Sequence, residues 1–427
     1  MRITLLCLVC CFPVLLAAQS QRAIVGFVPE AKNGSTWQSE TIAIPLEATP
    51  FLSYFLIWSG DAPGFQIRFS ADGHHWGEWQ IVVPDDHVEQ RMGRTISQLG
   101  MTDKVYRFFQ VTATDSPGQV ECHFYNPGDS QAVAPVLQND VLESRSCPCP
   151  LPANLTRVQW CPAGNCPPSP DPTLTTTTHL IVHHSAGTNA SNDWAAVVRA
   201  IWNFHVNGNG WADIGYNWLI DPNGVIYTGR GDGILGAHFC AQNTATTGVC
   251  MLGDFTAITP TAAAISSLQS LLAWKACDVG ADPLGAGFHP PSGLNLSYLS
   301  GHRDGCNTAC PGDAFYPMLP TIRQGVADHI DANCEATAEE EQSVLQAVQL
   351  APNPTSGHLD IIVTNEQYGD LKILLSDAYG RELFRQTEVK TSLRQHFQIE
   401  TGDLPAGNYW LILQLAGQKG VFHVVKM

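Results

Sequence analysis

Residues 301–313, GHRDGCNTACPGD, contain one histidine and two cysteines, whose side chains can bind metals or form covalent bonds. They are His302, Cys306 and Cys310, and all three fall within nine positions. Thiols and an imidazole at this spacing are compatible with a disulfide, a reactive thiolate nucleophile, or the ligands of a metal ion. The segment alone leaves these three interpretations open.

A second group of imidazoles ends the apolar segment HLIVHH, residues 179–184. This segment predicts a buried strand, and ligands of α/β proteins commonly bind where such strands end. Successive strand side chains point to opposite faces, so only one of His183 and His184 can face a given cleft. A His–His pair that only hydrogen-bonds nearby backbone is the structural alternative.

The first residues predict a secretory signal peptide over residues 1–18. Met1 and Arg2 precede the apolar run Ile3–Leu16, and two alanines lead into a polar stretch, as in cleaved signals. We therefore expect secretion into an oxidising compartment, where most cysteines pair. Three of the 14 cysteines fall in this segment, and the 11 that remain are an odd number. At least one thiol must therefore have another role.

The charge of the chain argues against two classes of partner. Lys and Arg number 22 against 39 Asp and Glu, which gives a formal net charge of −17, and no basic run is present. Nucleic acid and anionic membranes are therefore not expected as main partners. No stretch beyond the signal approaches the ~20 consecutive apolar residues of a membrane span. We therefore expect that the mature protein is not an integral membrane protein.

Patterning divides the rest of the chain. Residues 22–143 have short alternating runs, which predict a β-sandwich accessory domain. Residues 144–178 contain eight prolines and four cysteines, which predict a connector closed by disulfides and without long helices. A zinc site made by those four cysteines is the alternative, although their spacing is poor for one.

Strand and helix signals alternate over residues 179–334. Helices are expected at 192–206, 260–277 and 316–333, and a hairpin is expected around Pro222–Gly224. A central α/β domain with a mixed β-sheet flanked by helices follows. Residues 335–347 predict a polar linker, and residues 348–427 are β-rich again and predict a small β-sandwich.

Four motifs of the central segment occur in a fixed order: HLIVHHSAG, GWADIGYNWLIDPNGVIYTGR, GAHFCAQNTATTGVCMLGDF and GHRDGCNTACPGD. Together they resemble the type 2 N-acetylmuramoyl-L-alanine amidase family, which includes the peptidoglycan recognition proteins and a bacteriophage lysozyme-amidase. The resemblance covers most of residues 175–333 and implies that zinc is bound by His183, His302 and Cys310. Such a ligand set leaves the fourth tetrahedral position open for water, as catalytic zinc requires.

The cysteines acquire roles from this resemblance. Cys310 would be the thiol that the odd count leaves unpaired, and Cys306 would form a disulfide with another cysteine of the domain. A Cys306–Cys310 bridge is the alternative, and it would remove the ligand set.

Two further residues acquire catalytic roles from the resemblance. The tyrosine of DIGYN, Tyr216, is expected to hydrogen-bond the attacking water or the tetrahedral intermediate. The phage enzyme has a lysine two residues before the cysteine ligand, where this chain has Thr308, as some animal recognition proteins do. Thr308 is expected to donate one hydrogen bond to the intermediate, but it brings no charge. The group that transfers the proton is therefore left open. His184, His205 and His238 are candidates for binding the substrate or assisting proton transfer, and structural roles are the alternative.

The last 80 residues or so resemble a second family. LAPNPTSGHLDI, DAYGREL, DLPAGNYWLIL and GVFHVVKM are similar to the type A C-terminal sorting domain of the type IX secretion system. The resemblance spans about residues 348–427 and implies recognition by an outer-membrane translocon, often followed by removal. An ordinary β accessory domain is the alternative.

The expected function is that of a secreted zinc amidase that cleaves the lactyl–L-alanine amide bond of peptidoglycan. A non-hydrolytic peptidoglycan-binding protein on the same fold is the alternative. Loss of the cysteine ligand marks many such binders, and Cys310 is present. The expected partners are peptidoglycan and the type IX secretion machinery, and the expected location is the cell surface or the medium, reached through the periplasm.

Overall fold

A computed structural model describes residues 20–32, 36–59, 64–85, 93–115, 117–130, 134–135, 149–334, 348–365, 367–377, 381–415 and 418–427. The expected signal peptide, Cys147 and the expected linker 335–347 lie outside these residues. The chain divides into two compact units, one up to Cys334 and one after it. Among the described residues, no helix has the length and apolar character needed to cross a membrane.

The N-terminal part of the first unit contains two mainly antiparallel sheets. Its strands are β1 (Gln21–Phe27), β2 (Glu30–Lys32), β3 (Thr36–Gln38), β4 (Ile42–Ala43), β5 (Ser53–Ser59), β6 (Gln66–Ser70), β7 (Gln80–Ile81), β8 (Arg94–Ile96), β9 (Gly100–Met101), β10 (Phe108–Ala113) and β11 (Val120–Asn126). One sheet has the order β1-β11-β5-β8 with β9 beside β5, and the other has β2-β3-β10-β6-β7 with β4 beside β10. Both sheets contribute side chains to one apolar core, including Trp58, Phe69 and Phe109. A sheet-rich region is therefore present, and its sandwich geometry stays a prediction.

A six-stranded mixed sheet forms the centre of the remaining part of this unit. Its strands are β12 (Asn154–Leu155), β13 (His179–His184), β14 (Trp218–Ile220), β15 (Ile226–Thr228), β16 (Thr246–Met251) and β19 (Leu299–Gly301), and a separate hairpin pairs β17 (Ala286–His289) with β18 (Leu294–Ser297). The order is β12-β15-β14-β16-β13-β19. Only the β14–β15 pair is antiparallel, because a tight turn at Pro222–Gly224 joins these two strands as predicted.

Helices cover both faces of this sheet, and their ends follow local capping chemistry. They are α1 (Arg157–Trp160), α2 (Trp194–Asn203), α3 (Ala262–Val279) and α4 (Leu319–Asn333). The Asp193 carboxylate accepts a hydrogen bond from Ala196 N–H and begins α2, as residues of this type do at helix N-termini. Gly280, with φ of 66°, ends α3 in the left-handed conformation that favours glycine.

The predicted helices exist, but their bounds differ from those expected. Residues Phe204–Gly208 continue α2 as one π-helical turn, and residues Tyr316–Met318 form a 3₁₀ turn before α4. Helix α3 begins after Thr261, whose hydroxyl accepts from Ala264 N–H at 3.1 Å. Thr259 and Pro260, the expected start, therefore precede the helix.

The disulfides agree in part with the sequence prediction. Within the Pro-rich segment Cys161 is bonded to Cys166, whereas Cys149 is bonded to Cys334 at the end of the domain. Cys277 is also disulfide-bonded. Cys149, Cys161 and Cys166 are therefore oxidised, which is incompatible with a zinc site made from them.

The second unit is entirely β-structure over its described residues. Its strands are β20 (Val348–Ala351), β21 (His358–Thr364), β22 (Gly369–Asp377), β23 (Glu382–Lys390), β24 (Arg394–Glu400), β25 (Gly407–Leu415) and β26 (Gln418–Lys426). They form antiparallel sheets with the orders β20-β21-β24 and β23-β22-β25-β26. Both sheets contribute to one apolar core that includes Ile361, Ile373 and Leu411.

Candidate metal centre

Two histidines meet at one edge of the central sheet because their strands are parallel neighbours. Strand β13 runs beside β19, with Val182 opposite Gly301. His183 and His302 directly follow these paired residues, and their ring centroids are 4.5 Å apart. The parallel register therefore brings together two imidazoles that are far apart in the sequence.

The thiol of Cys310 completes this group. One nitrogen of His183, one nitrogen of His302 and the Cys310 Sγ all lie within 4.8 Å of one another. All three residues are buried, with exposed fractions of 0%, 1% and 1%. Two imidazoles and one thiol at this separation are a donor set that suits zinc chemically, so the residues fit the ion.

A second group of ligand atoms, from Cys240, His302 and Cys306, also lies within that distance. Cys240 and Cys306 are bonded to each other, so neither sulfur is a thiolate that could bind a metal. The group with Cys310 is therefore the metal-binding candidate. The predicted disulfide of Cys306 within this domain is confirmed, and the alternative Cys306–Cys310 bridge is wrong.

His238 contacts the first of these histidines. Its Nδ1 lies 3.0 Å from Nε2 of His183, while His183 Nδ1 lies 3.7 Å from Cys310 Sγ. Burial, with a smaller contribution from the charge of Arg230, lowers the pKa of His238 to about 3. A Cβ atom on Gly248 would lie 2.5 Å from the His238 ring, so only glycine leaves room for this imidazole.

Tyr216 lies on the same side of the sheet as His183. Their ring centroids are 5.3 Å apart, and Tyr216 is only 6% exposed. Burial raises the pKa of Tyr216 well above its ordinary value, with smaller contributions from Cys250 and Cys310. The phenol therefore stays protonated at neutral pH and can donate a hydrogen bond.

The free thiol Cys250 is part of these surroundings, and sequence reasoning missed it. Cys250 is the register partner of His183 on β16, and it packs in the same apolar cluster as Tyr216. Burial raises the pKa of the Cys250 thiol. Only the pairing of β13 with β16 places Cys250 here, and no local sequence signal indicates that pairing. Cys122, Cys250 and Cys310 are the three free cysteines among the described residues. The odd number of cysteines in the sequence required at least one unpaired thiol.

The remaining predicted residues are divided between two faces of the sheet. His184 faces away from His183: its Nδ1 accepts a hydrogen bond from Phe255 N–H at 3.2 Å.

His205 lies beside Tyr216, with 5.5 Å between ring centroids, and its Nδ1 accepts from Gly215 N–H at 3.0 Å. Thr308 lies in the loop before Cys310, and its hydroxyl accepts from Cys310 N–H at 3.1 Å. The structure thus groups His183, His302, Cys310, Tyr216 and His238.

The fold and this group together define a class: an α/β domain with a buried His–His–Cys group, able to hold a metal ion, where parallel strands end. The sequence comparisons agree. A family model for N-acetylmuramoyl-L-alanine amidases matches residues 173–313, and one for a secretion system C-terminal sorting domain matches residues 349–426.

Relatives of known name resemble the central region. Peptidoglycan-recognition protein SC2 of Drosophila simulans is 32% identical over 145 residues, which cover 34% of this chain and 72% of that protein. The human N-acetylmuramoyl-L-alanine amidase is 35% identical over 127 residues, or 30% of this chain, but the match spans only 20% of that protein. Among solved structures, wild-type Drosophila PGRP-LB has 27% identity and a TM-score of 0.33, with 39% of this chain and 91% of that chain covered.

The chain therefore belongs to the N-acetylmuramoyl-L-alanine amidase family that includes the peptidoglycan recognition proteins, and it also carries a C-terminal sorting domain.

Proposed function

We propose that the protein is a secreted, zinc-dependent N-acetylmuramoyl-L-alanine amidase, which hydrolyses the lactyl–L-alanine amide bond of peptidoglycan. The observation that carries the proposal is the buried group of His183, His302 and Cys310, whose ligand atoms lie within 4.8 Å of one another. The relatives named as amidases and as peptidoglycan recognition proteins support the substrate class.

Two of the three proposed ligands are oriented by contacts outside the group. The His183 ring is fixed by His238 at 3.0 Å, and the Cys310 sulfur accepts a hydrogen bond from His184 N–H at 3.3 Å. Partners of this kind orient metal ligands and tune their basicity. In this proposal His238 is a positioning residue. A bound zinc ion would supply a Lewis acid that polarises the amide carbonyl and lowers the pKa of water.

Tyr216 is the proposed donor to the oxyanion that forms during hydrolysis. Its hydroxyl is buried and protonated, because burial raises its pKa well above the ordinary value. A buried neutral donor stabilises a developing negative charge more strongly than water does. Thr308 is the proposed second donor to the intermediate.

His184, His205 and His238 remain proposed substrate-binding residues. His205 has the most direct position for this role, because it lines the same pocket as Tyr216. His184 would act mainly through its main chain, since its ring faces the opposite side of the sheet.

The domain organisation is proposed with the limits derived from the sequence. These are a signal peptide at 1–18, an accessory β-sandwich at 22–143, a connector at 144–178, the amidase domain at 179–334, a linker at 335–347 and a sorting β-sandwich at 348–427. The family match at residues 349–426 supports the last of these. Export would proceed through the periplasm to the type IX machinery and then to the cell surface or the medium.

Mass analysis of muropeptides after digestion with the zinc-loaded protein tests the proposed activity. New peptides with free L-alanine amino termini would establish the bond that is cleaved. Intact glycopeptides retained on the protein, without cleavage, would contradict the proposal and favour the non-hydrolytic binder.

A further inference from the structure

A narrow pocket beside Tyr216 is lined by two distant parts of the chain. The central domain contributes Tyr216, His205 and Ser185, while the N-terminal β-region contributes Asp85, Gln98 and Leu99. The pocket therefore belongs to neither region alone. Its position next to Tyr216 places it beside the proposed amidase centre.

Main-chain hydrogen bonds hold the N-terminal wall of this pocket in shape. Asp85 N–H donates to Ile96 O at 2.9 Å, and Gln98 N–H donates to Val83 O at 2.8 Å. A further bond crosses to the central domain, from Asn209 Nδ2 to the Asp85 carboxylate at 3.4 Å. The two polar side chains are thus presented from a paired segment of backbone.

The two regions are joined by a buried interface next to the pocket. Arg199 of α2 is 2% exposed, and its guanidinium donates to Pro127 O at 3.1 Å and to Gly128 O at 3.0 Å. The rings of Phe55 and Phe204 pack edge to face with centroids 5.2 Å apart. Such buried contacts fix the N-terminal wall on the domain that carries the metal group.

The chemistry of the wall favours a small cationic group. The pocket has a volume of about 40 Å³, which is room for only a few water molecules. Asp85 is the one acidic residue among the residues that line the pocket. Burial is the main cause of the raised pKa of Tyr216, followed by Cys250 and Cys310. The nearby negative charge of Asp85 makes a further, smaller contribution.

We infer that the N-terminal β-region forms part of the substrate site, and that Asp85 binds an ammonium group of the peptide portion of the substrate. This inference rests on the proposed function, because it takes the cleft beside Tyr216 as the site for a muramoyl peptide. Asp85 is then a specificity-determining residue, and Gln98 provides a neutral hydrogen-bonding neighbour. The accessory region contributes to selection as well as to the architecture.

The test uses two synthetic muramoyl tripeptides that both end in L-lysine, one with a free ε-amine and one with an Nε-acetyl group. Dissociation constants are measured by calorimetry on the full chain in a Cys310→Ser background, so that hydrolysis does not consume the ligand. Asp85→Asn removes only the charge. Asp103→Asn, at an exposed position of the same N-terminal β-region and outside the pocket lining, is the matched control.

We expect Asp85→Asn to weaken binding of the free-amine peptide about tenfold, as for loss of one charge-assisted hydrogen bond. Binding of the acetylated peptide should stay unchanged, and Asp103→Asn should behave as the parent on both. The inference would be overturned if Asp85→Asn changed the dissociation constants of both peptides equally. It would also be overturned if the Cys310→Ser parent bound the free-amine and acetylated peptides equally well. The wild-type kcat/KM is measured separately: absent hydrolysis would contradict the amidase proposal, while the binding comparison would still decide the role of Asp85.

Discussion

The Sγ of Cys310 lies 3.7 Å from Nδ1 of His183, although the two residues are 127 positions apart in the sequence. The contact depends on β13 for the position of His183 and on the loop after His302 for the position of the thiol. His184 N–H donates to the same sulfur at 3.3 Å, so the end of β13 both supplies one ligand and orients another.

Replacement of Cys310 by serine should remove zinc binding and hydrolysis while the fold is kept. A hydroxyl is a poorer zinc ligand than a thiolate. Cys310 is not part of a disulfide, so its replacement leaves the disulfides of the domain intact. Zinc per chain is measured by elemental mass spectrometry, and activity by release of L-alanine amino termini. Cys122→Ala, in the N-terminal core, should keep full zinc content. A folded Cys310→Ser protein with wild-type activity would show that the metal assignment is wrong.

Replacement of Tyr216 by phenylalanine should separate the role of the hydroxyl from that of the metal. The ring still packs, so zinc content and peptide binding should stay near the wild-type values. Loss of one donor to a developing oxyanion typically lowers kcat on the order of 10²–10³, with little effect on KM. Steady-state kinetics on a soluble muramoyl peptide measure both constants. An unchanged kcat would limit Tyr216 to packing and direct attention to His205.

Replacement of Arg199 by methionine should destabilise the first unit strongly. The guanidinium donates to Pro127 O, Gly128 O and Trp160 O. Methionine keeps part of the aliphatic volume but leaves these carbonyls without that donor, and the cost should be about 3 kcal/mol. Arg94→Met removes an exposed arginine, paired with Glu121 at 3.0 Å, and should change the free energy of unfolding by about 0.5 kcal/mol or less. Urea unfolding measures both variants. Similar values for the two would mean that the buried bonds of Arg199 contribute little.

Deletion of residues 348–427 should leave the amidase activity intact and stop export. The sorting-domain match lies within this segment, whereas all proposed zinc ligands lie before Cys334. Cell fractionation with an antibody to the amidase domain locates the truncated chain, which we expect in the periplasm. Normal release of the truncated protein into the medium would contradict the sorting role.

The proximity of the three proposed zinc ligands could be predicted from the sequence, because these residues lie in short ordered motifs. His183 ends a strongly apolar strand, and His302 and Cys310 share one segment of 13 residues. The hairpin of β14 and β15 was also predictable, because Pro222, Asn223 and Gly224 are residues that turns prefer.

The surroundings of the site were not predictable in the same way, because they depend on packing between distant segments. Nothing local distinguishes Cys250 from an ordinary core cysteine, and its contact with Tyr216 exists only through the order of the sheet. Asp85 and Gln98 come from a region whose placement against α2 depends on buried contacts such as those of Arg199. The π-helical turn after α2 was missed because the sequence pattern predicts a helix up to residue 206 and does not distinguish a π-helical turn from an α-helical one.

The Cys149–Cys334 disulfide joins residues 185 positions apart, and it turns the metal-binding domain into a covalent ring. The sorting segment is attached outside this ring. A peptidase that cuts beyond Cys334 can therefore release the tail without opening the ring, and a single cut between Cys149 and Cys334 leaves both fragments joined. The domain would thus stay one covalent molecule after a first cleavage within the ring, until this disulfide is reduced.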